Sequence, residues 1–424
     1  MKGGMLLFVG CLLLAAPAPS TFAESIAVVG GRVVVGDGTV FDPGVVVIEG
    51  ERIVSVGSDI PIPNEARRID AEGAWIWPGM IDPYTTLGLV EVSADRMTDD
   101  RNESTEKITP QLRASDAIAA DSALVAVARN GGITTVLVSP GTSNPINGQA
   151  VVINLDGRTL DDMVLKNPVA QVFSFGSSVR REDTYPLTRI GIVAVIRQAL
   201  YDAQHFLDQQ REAGGQNPEK AKGGSQACGS LCMEALAGVL EGRVPVIAEA
   251  NEAQEIRAAL SVAEEFKLKM ILLNPNNAWK LLDEVKASGF PVLLGGTFEV
   301  PTFGESFDRY FRLAADLWKA KIPFAFTSAS AHGVRTLPTQ AAKSVAYGLP
   351  EEVAVRAITQ FPAKILGIDG DVGTLSPGKI ANLAVWNGNP LQAASRVEVL
   401  IIGGREVPLH SRQEELRDRF SELK

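Results

Sequence analysis

The sequence predicts an α/β protein, a (β/α)8 TIM-like barrel with a small composite β-sandwich domain formed by both chain ends. Three observations support this prediction. Short β-rich runs separated by glycine turns lie near both ends of the chain, strand and helix patterns alternate between them, and this middle region holds eight candidate strands. Such alternation is typical of parallel strands joined by helices. A doubly wound sheet is the alternative.

Length and composition agree with this architecture. The chain has 424 residues, of which 46% are hydrophobic and 21% charged, so it can bury a large core and shows no sign of general disorder. Acidic residues outnumber basic ones by 50 to 40, for a net charge of −10. This charge argues against a nucleic-acid surface.

Residues 1–23 resemble an export signal. Lys2 supplies a positive charge, residues 5–16 an apolar run, and Thr21-Phe22-Ala23 a small-x-Ala cleavage site. The apolar run is too short to span a bilayer well. We therefore expect an exported protein, periplasmic or extracellular, without a stable membrane span. A lipidated Cys11 is the less favoured alternative.

The small β domain is predicted from valine- and isoleucine-rich runs at both ends of the chain. We expect it to comprise residues 24–77 and 365–412, and the barrel to comprise residues 78–364. Glycine-containing turns separate the runs. The runs are 26–29, 32–35, 45–48, 52–56, 383–386 and 397–402.

The middle region supplies the elements of the barrel, whose functional end lies at the carboxyl ends of the strands. The candidate strands are residues 77–83, 134–139, 150–154, 171–175, 245–250, 269–274, 291–295 and 324–328. The candidate helices are residues 114–130, 191–211, 252–266, 277–287, 306–320 and 337–348.

Two cysteines, Cys228 and Cys232, follow the predicted signal. In an oxidising compartment a local disulfide is favoured over free thiols. The four-residue spacing also suits one helical turn, where the bridge would constrain little. A metal site is the least favoured alternative, since neither a third cysteine nor a nearby histidine accompanies the pair.

Residues 77–88 read Trp-Pro-Gly-Met-Ile-Asp-Pro-Tyr-Thr-Thr-Leu-Gly. This segment resembles the first-strand signature of the metal-dependent amidohydrolase superfamily, Pro-Gly-hydrophobic-Ile-Asp-x-His-x-His-x-Gly. Aligned without a gap, Tyr84 and Thr86 stand where the family has its two histidines. The resemblance extends over most of the chain and is greatest to the exported imidazolonepropionase-like branch. The further matching segments are 139–149, 188–191, 342–350, 357–367 and 372–383.

The resemblance implies a zinc or similar ion held by histidines from strands one, five and six and a carboxylate from strand eight. Here strand one offers Tyr84 and Thr86, strand five Glu249, strand six Asn274 and strand eight Ser330. A catalytic zinc needs three or four nitrogen or oxygen donors and an open position for water. We therefore expect no metal cofactor.

Other ways of holding a metal or doing chemistry stay open. Of the three histidines only His332 follows strand eight, and a structural or substrate-contacting role suits it better than ligation. Asp82 and Glu249 could form an oxygen-only site with Asn251 and Asn274 for a hard cation. A metal-free hydrolase could use Glu249 as base with Tyr84 or His332 as partner.

By resemblance the lineage hydrolyses carbon–nitrogen, non-peptide amide bonds. With its ligand positions replaced, this chain is predicted to be a non-catalytic ligand-binding protein or a companion subunit to a metal-competent relative, with self-association as another option. An active amidohydrolase with an atypical site is the alternative, and a scaffold with a filled mouth is the third. The predicted pocket residues are Tyr84, Thr86, Glu249, Asn274, Ser330 and His332.

Overall fold

The computed structural model describes residues 25–181, 183–212, 229–296 and 306–421. Two eight-stranded sheets and eleven α-helices form the described part of the chain. None of its helices is both long enough and apolar enough to cross a membrane. The predicted export signal lies outside the described residues.

Strands come first along the chain, alternating strands and helices follow, and strands return near the end. The β-strands are β1 (Ser25–Val34), β2 (Val40–Glu49), β3 (Arg52–Gly57), β4 (Arg67–Asp70), β5 (Trp75–Pro78), β6 (Met80–Thr85), β7 (Ile133–Val138), β8 (Ile146–Asn154), β9 (Val164–Ser174), β10 (Val246–Glu249), β11 (Met270–Leu273), β12 (Val292–Leu294), β13 (Phe324–Phe326), β14 (Leu383–Trp386), β15 (Val397–Ile402) and β16 (Arg405–Glu406). The α-helices are α1 (Ala123–Asn130), α2 (Leu160–Met163), α3 (Arg189–Glu212), α4 (Ser230–Leu240), α5 (Ala253–Phe266), α6 (Leu282–Ser288), α7 (Arg309–Ala320), α8 (Leu337–Ala346), α9 (Glu351–Arg356), α10 (Gln360–Leu366) and α11 (Arg412–Ser421).

Strands β6 to β13 lie side by side in chain order and form a nearly closed barrel. All eight predicted barrel strands are found, but β8 runs antiparallel to both of its neighbours, so the expected all-parallel barrel is wrong at this strand. The reason lies in the connections. Residues 139–145 link β7 to β8, and only the one-turn α2 lies between β8 and β9. Parallel neighbours need a longer crossover.

The barrel strands are buried on both faces, and successive residues enter different clusters. Ile247, Ile271 and Leu293 share a cluster built from the barrel strands and α10. Their neighbours Val246 and Leu272 join a second cluster that contains the helices. The first cluster is therefore the barrel interior, and α10 closes it at the amino-terminal ends of the strands.

The first predicted barrel strand, residues 77–83, is two strands in the structure. β5 pairs with β14 in the second sheet, whereas β6 pairs with β7 in the barrel. Gly79 stands between them, and its N–H donates to the carbonyl of Asn382 at 2.8 Å. The chain thus leaves one sheet and enters the other at this glycine.

The second sheet contains strands from both ends of the chain, in the order β16-β15-β14-β5-β1-β2-β3, with β4 pairing with β1. Val28, Ile48, Ile76, Leu383 and Ile401 are buried together in its core. The N-terminal and C-terminal runs therefore pack as one layer. The domain boundaries after residue 77 and before residue 365 remain a prediction.

The predicted helices are present, but several begin later than expected. The helix predicted at 114–130 is wrong in its first half, because only Ala123–Asn130 is α-helical. Helix α4 was not predicted, and Cys232 lies on it. Cys232 is disulfide-bonded. Its predicted partner Cys228 lies outside the described residues, so the pairing remains a prediction.

We predict that Gly79→Ala lowers the free energy of unfolding by about 2–3 kcal/mol, since overpacking a tight site has costs of this order. A Cβ added at Gly79 would lie 2.1 Å from Oγ1 of Thr134. Urea unfolding followed by circular dichroism measures the change. Gly370→Ala is the matched control, because its Cβ would meet nothing within 4 Å. Equal stability of the two variants would contradict the prediction.

Candidate functional site at the barrel mouth

A buried carboxylate joins the first and last strands of the barrel. Asp82, on β6, is 0% exposed. Its Oδ1 accepts a hydrogen bond from Oγ1 of Thr327 at 2.7 Å, and both of its oxygens lie 3.2 Å from the N–H of Ser328. Thr327 and Ser328 directly follow β13. Asp82 therefore connects the first barrel strand to the residues that follow the last one, a junction called here the barrel seam. Both of its oxygens already accept hydrogen bonds.

The same burial changes the acidity of Asp82. Removal from water raises the pKa of this carboxyl from 3.8 to about 6, against the opposing effect of the hydrogen bonds from Thr327, Ser328 and Tyr84. Burial in a low dielectric disfavours the charged form of an acid.

Tyr84 and Thr86, which the sequence comparison above predicts to stand at the first-strand histidine positions, are both buried. The Tyr84 hydroxyl donates to the carbonyl of Pro140 at 3.0 Å. Burial raises the pKa of this phenol well above its ordinary value, and the charge of Glu249 adds to the effect. Thr86 is 7% exposed. A protonated, hydrogen-bonded phenol is a poor substitute for a histidine ligand.

Glu249 ends β10 and lies among hydroxyl groups. Its Oε2 accepts hydrogen bonds from Oγ of Ser174 at 2.5 Å and from Oγ of Ser178 at 3.4 Å. Burial raises the pKa of the Glu249 carboxyl, although the hydroxyls of Ser174, Thr142 and Ser178 oppose the shift. Tyr84 lies close enough to Glu249 that the charge of this carboxylate raises the pKa of the phenol. Glu249 and Tyr84 are thus the predicted pocket residues that interact with each other.

The remaining predicted pocket residues bond elsewhere. Asn274 adopts a left-handed backbone conformation with φ 51°, and its Oδ1 accepts from the N–H of Gly295 at 3.1 Å. Oγ of Ser330 accepts from the N–H of Gly333 at 3.1 Å. The His332 ring is exposed, and its Nε2 lies 3.0 Å from the carbonyl oxygen of Glu91.

Ser174 and Ser178 were missed by the sequence reasoning, although a signal for Ser174 exists. β9 places Val172 in the barrel interior. Successive strand residues alternate between faces, so Ser174 also points inward. Ser178 follows the strand in a short 3-10 turn, Ser177–Val179, and strand periodicity does not reach it.

A long segment after β6, residues 86–122, packs on the loops at the barrel mouth. The Nδ2 amide of Asn144 donates to the carbonyl of Glu103 at 2.6 Å. Arg181, which follows β9, donates to the carbonyl of Ser104 at 2.5 Å and to Oδ1 of Asn144 at 2.8 Å. These contacts tie the segment to the ends of β7 and β9. The sequence gives no cue for them, because the residues lie in loops and two of the three bonds end on backbone carbonyls.

The residues at the family's ligand positions do not fit a catalytic zinc. Only Glu249 among them carries a carboxylate, and the others are a phenol, two hydroxyls and an amide. Zinc in proteins takes cysteine, histidine and carboxylate ligands. Within the described ranges, no three His, Cys, Asp or Glu side chains are grouped to hold a metal ion.

Residues 309–407 match the amidohydrolase family. The structure is similar to that of an amidohydrolase from Thermotoga maritima MSB8, with a TM-score of 0.83 and 28% identity over 91% of this chain and 100% of that one. These likenesses support membership of the amidohydrolase superfamily.

Two further proteins are similar to this chain at lower identity. Amidohydrolase tasK of Hapsidospora irregularis is 25% identical over 394 residues, which are 85% of this chain but only 39% of that protein. The chain thus spans about two fifths of its curated relative. A Xaa-Pro dipeptidase with bound methionine has a TM-score of 0.54 at 15% identity over 91% of this chain and 100% of that one. The similarity to the dipeptidase shows a shared fold and nothing about activity.

We predict that Asp82 makes the stability of the protein depend on pH. Its pKa is raised on folding, so its contribution is fully present below pH 3.8 and is lost as the pH rises through about 6. The loss amounts to ~3 kcal/mol. The free energy of unfolding, measured in urea from pH 4 to pH 7, should therefore fall for the wild type relative to Asp82→Asn.

The exposed Asp121→Asn variant serves as the control for this comparison, because its side chain is solvated. It should follow the wild type across the pH range. A constant difference between the wild type and Asp82→Asn would show that Asp82 does not titrate as described.

Proposed function

We propose that this chain is a non-catalytic member of the amidohydrolase superfamily that binds a small molecule at the barrel mouth. One observation carries the proposal. The polar groups at the ligand positions are used in hydrogen bonds within the protein: Tyr84 to Pro140, Asn274 to Gly295, Ser330 to Gly333 and Glu249 to Ser174. Groups held in this way stabilise strand ends and loops instead of ligating a metal.

The chemistry of the mouth suggests the kind of ligand. Glu249 offers an acceptor oxygen beside the hydroxyls of Ser174 and Ser178, which can donate or accept. Tyr84 lies close to Glu249, and the segment 86–122 packs on the loops at the mouth through Asn144 and Arg181. A small polar molecule that carries N–H donors, such as an amide or urea, matches this set. The lineage of the chain acts on bonds of the same kind.

A second candidate is a metal-free hydrolase, which one observation favours. Burial raises the pKa of Glu249, and Tyr84 lies within its electrostatic reach. A carboxyl group whose pKa is raised by burial is better suited to general acid or base catalysis than one with an ordinary pKa. We rank this candidate second because the Tyr84 hydroxyl already donates to Pro140.

We further propose that the protein is exported to the periplasm or the extracellular space, and that it acts alone, as a second copy of itself or beside a metal-competent relative. The first proposal rests on residues 1–23, and the second on the replaced ligand positions. The curated relative is longer than this chain, and the matched residues are 39% of its length.

We predict that the purified protein retains no stoichiometric metal after incubation with zinc, manganese and iron(II) and subsequent desalting. The donor set has one carboxylate, that of Glu249, and no nitrogen ligand, which is fewer ligands than such ions need. Elemental analysis measures the content. One ion per chain in the wild type, lost in Glu249→Gln, would contradict the proposal and identify an unusual site around Glu249.

We also predict binding without turnover. In a panel of small amides, ureas and dipeptides, any compound that binds by calorimetry should be recovered unchanged by mass spectrometry. Its affinity should fall about tenfold or more in Glu249→Gln, because a hydrogen bond to a charged group is lost. Hydrolysis by the wild type that drops about 100-fold in Glu249→Gln would support the second candidate instead.

A further inference from the structure

A cleft of about 690 Å³ lies at the opposite end of the barrel from the mouth. It is bordered by the end of α7, the start of β13 and the helix α10. Because Pro323 and Phe324 stand at the amino-terminal end of β13, the cleft is separated from Glu249 by the barrel interior. Its volume is in the range of small-molecule pockets.

The body of the cleft is aromatic and aliphatic. Trp318 and Phe361 are stacked with ring centroids 6.4 Å apart, and Phe361 meets Phe324 edge-on at 6.3 Å. Ile322 and Ile365 complete the apolar lining. Trp318 is 38% exposed, a large fraction for an indole that stacks on another aromatic ring. Covering an apolar concavity of this kind with a ligand is favourable, because apolar surface is removed from water.

The rim of the cleft is cationic. Lys319, Lys321, Lys364 and Arg356 line it, and no carboxylate is among its described lining residues. In the described part of the chain none of these four groups has an ion-pair partner. Arg356 instead lies 4.7 Å above the Phe361 ring and donates through Nε to Gln360 at 3.0 Å. Four cations without a neutralising acid are unexpected in a chain of net charge −10.

We propose that this cleft binds a small amphipathic carboxylate, with its apolar body on Trp318, Phe361 and Phe324 and its anionic head between the rim cations. Charge complementarity selects the anion, because Arg356 and the lysines can all donate to a carboxylate. The aromatic walls select a flat or branched apolar body. This site is independent of the proposed function at the barrel mouth.

The probe is 2-naphthoate, compared by calorimetry with the neutral 2-naphthalenemethanol on the full chain. We expect naphthoate to bind at least about tenfold more tightly. The double variant Lys319→Glu/Lys364→Glu should weaken naphthoate binding at least about tenfold and leave the alcohol unchanged. Both lysines are exposed, so the variant should fold, as circular dichroism would confirm.

Arg68→Glu/Lys286→Glu is the matched control, because it makes the same change of net charge at exposed positions outside the cleft. It should bind naphthoate like the wild type, and so should Glu249→Gln. Ile365→Trp supplies a second test, since it fills the apolar body without altering the charges and should weaken both probes.

Equal affinity for the two probes would overturn the proposal, and so would naphthoate binding that the lysine reversal leaves intact. Binding that Glu249→Gln abolishes would assign the ligand to the mouth. Sedimentation with anionic phosphatidylglycerol vesicles, lost in the lysine variant and without any naphthoate binding, would show that the cations contact a membrane surface instead.

Discussion

The hydrogen bonds of one buried carboxylate determine how this barrel closes. Asp82 lies on the first strand and accepts from the two residues that follow the last strand. The neighbouring bonds from the Thr327 hydroxyl and the Ala329 N–H to the carbonyl of Tyr84 lie on the same seam. A barrel sheet without such a connection would leave two edges with unpaired backbone groups. Tyr84 and Ser330, which accept hydrogen bonds at this seam through their carbonyls, are positioned by it.

This role gives the first-strand motif a structural purpose that does not depend on a metal ion. Asp82 and Gly79 serve the architecture: the glycine lets the chain pass from one sheet to the other beside Thr134, and the aspartate closes the barrel. We propose that the positions of Tyr84 and Thr86 belong to the ligand pocket, where other residues are tolerated if no metal is required. On this proposal the sequence signature combines two separable constraints, an architectural one and a catalytic one.

The positions of the eight barrel strands and of helices α3 and α5 could be predicted from the sequence, because hydrophobic periodicity and glycine turns mark them directly. The direction of β8 could not, since periodicity does not carry direction and only the short flanking connections hint at it. The contacts of His332 with Glu91 and of Arg181 with Ser104 also escaped prediction. They depend on how a loop of more than thirty residues folds back over the mouth.

The two ends of the barrel present opposite chemistry. At the carboxyl ends of the strands, Glu249 is surrounded by hydroxyl groups and its charge is disfavoured by burial. At the amino-terminal ends, the rim of the α7–α10 cleft carries cations around an aromatic floor. We therefore propose that the two ends differ in the ligands that they bind. Since the packed interior separates the two, a change of charge at either end should act on that end alone, and this separation makes the two sites individually accessible to substitution.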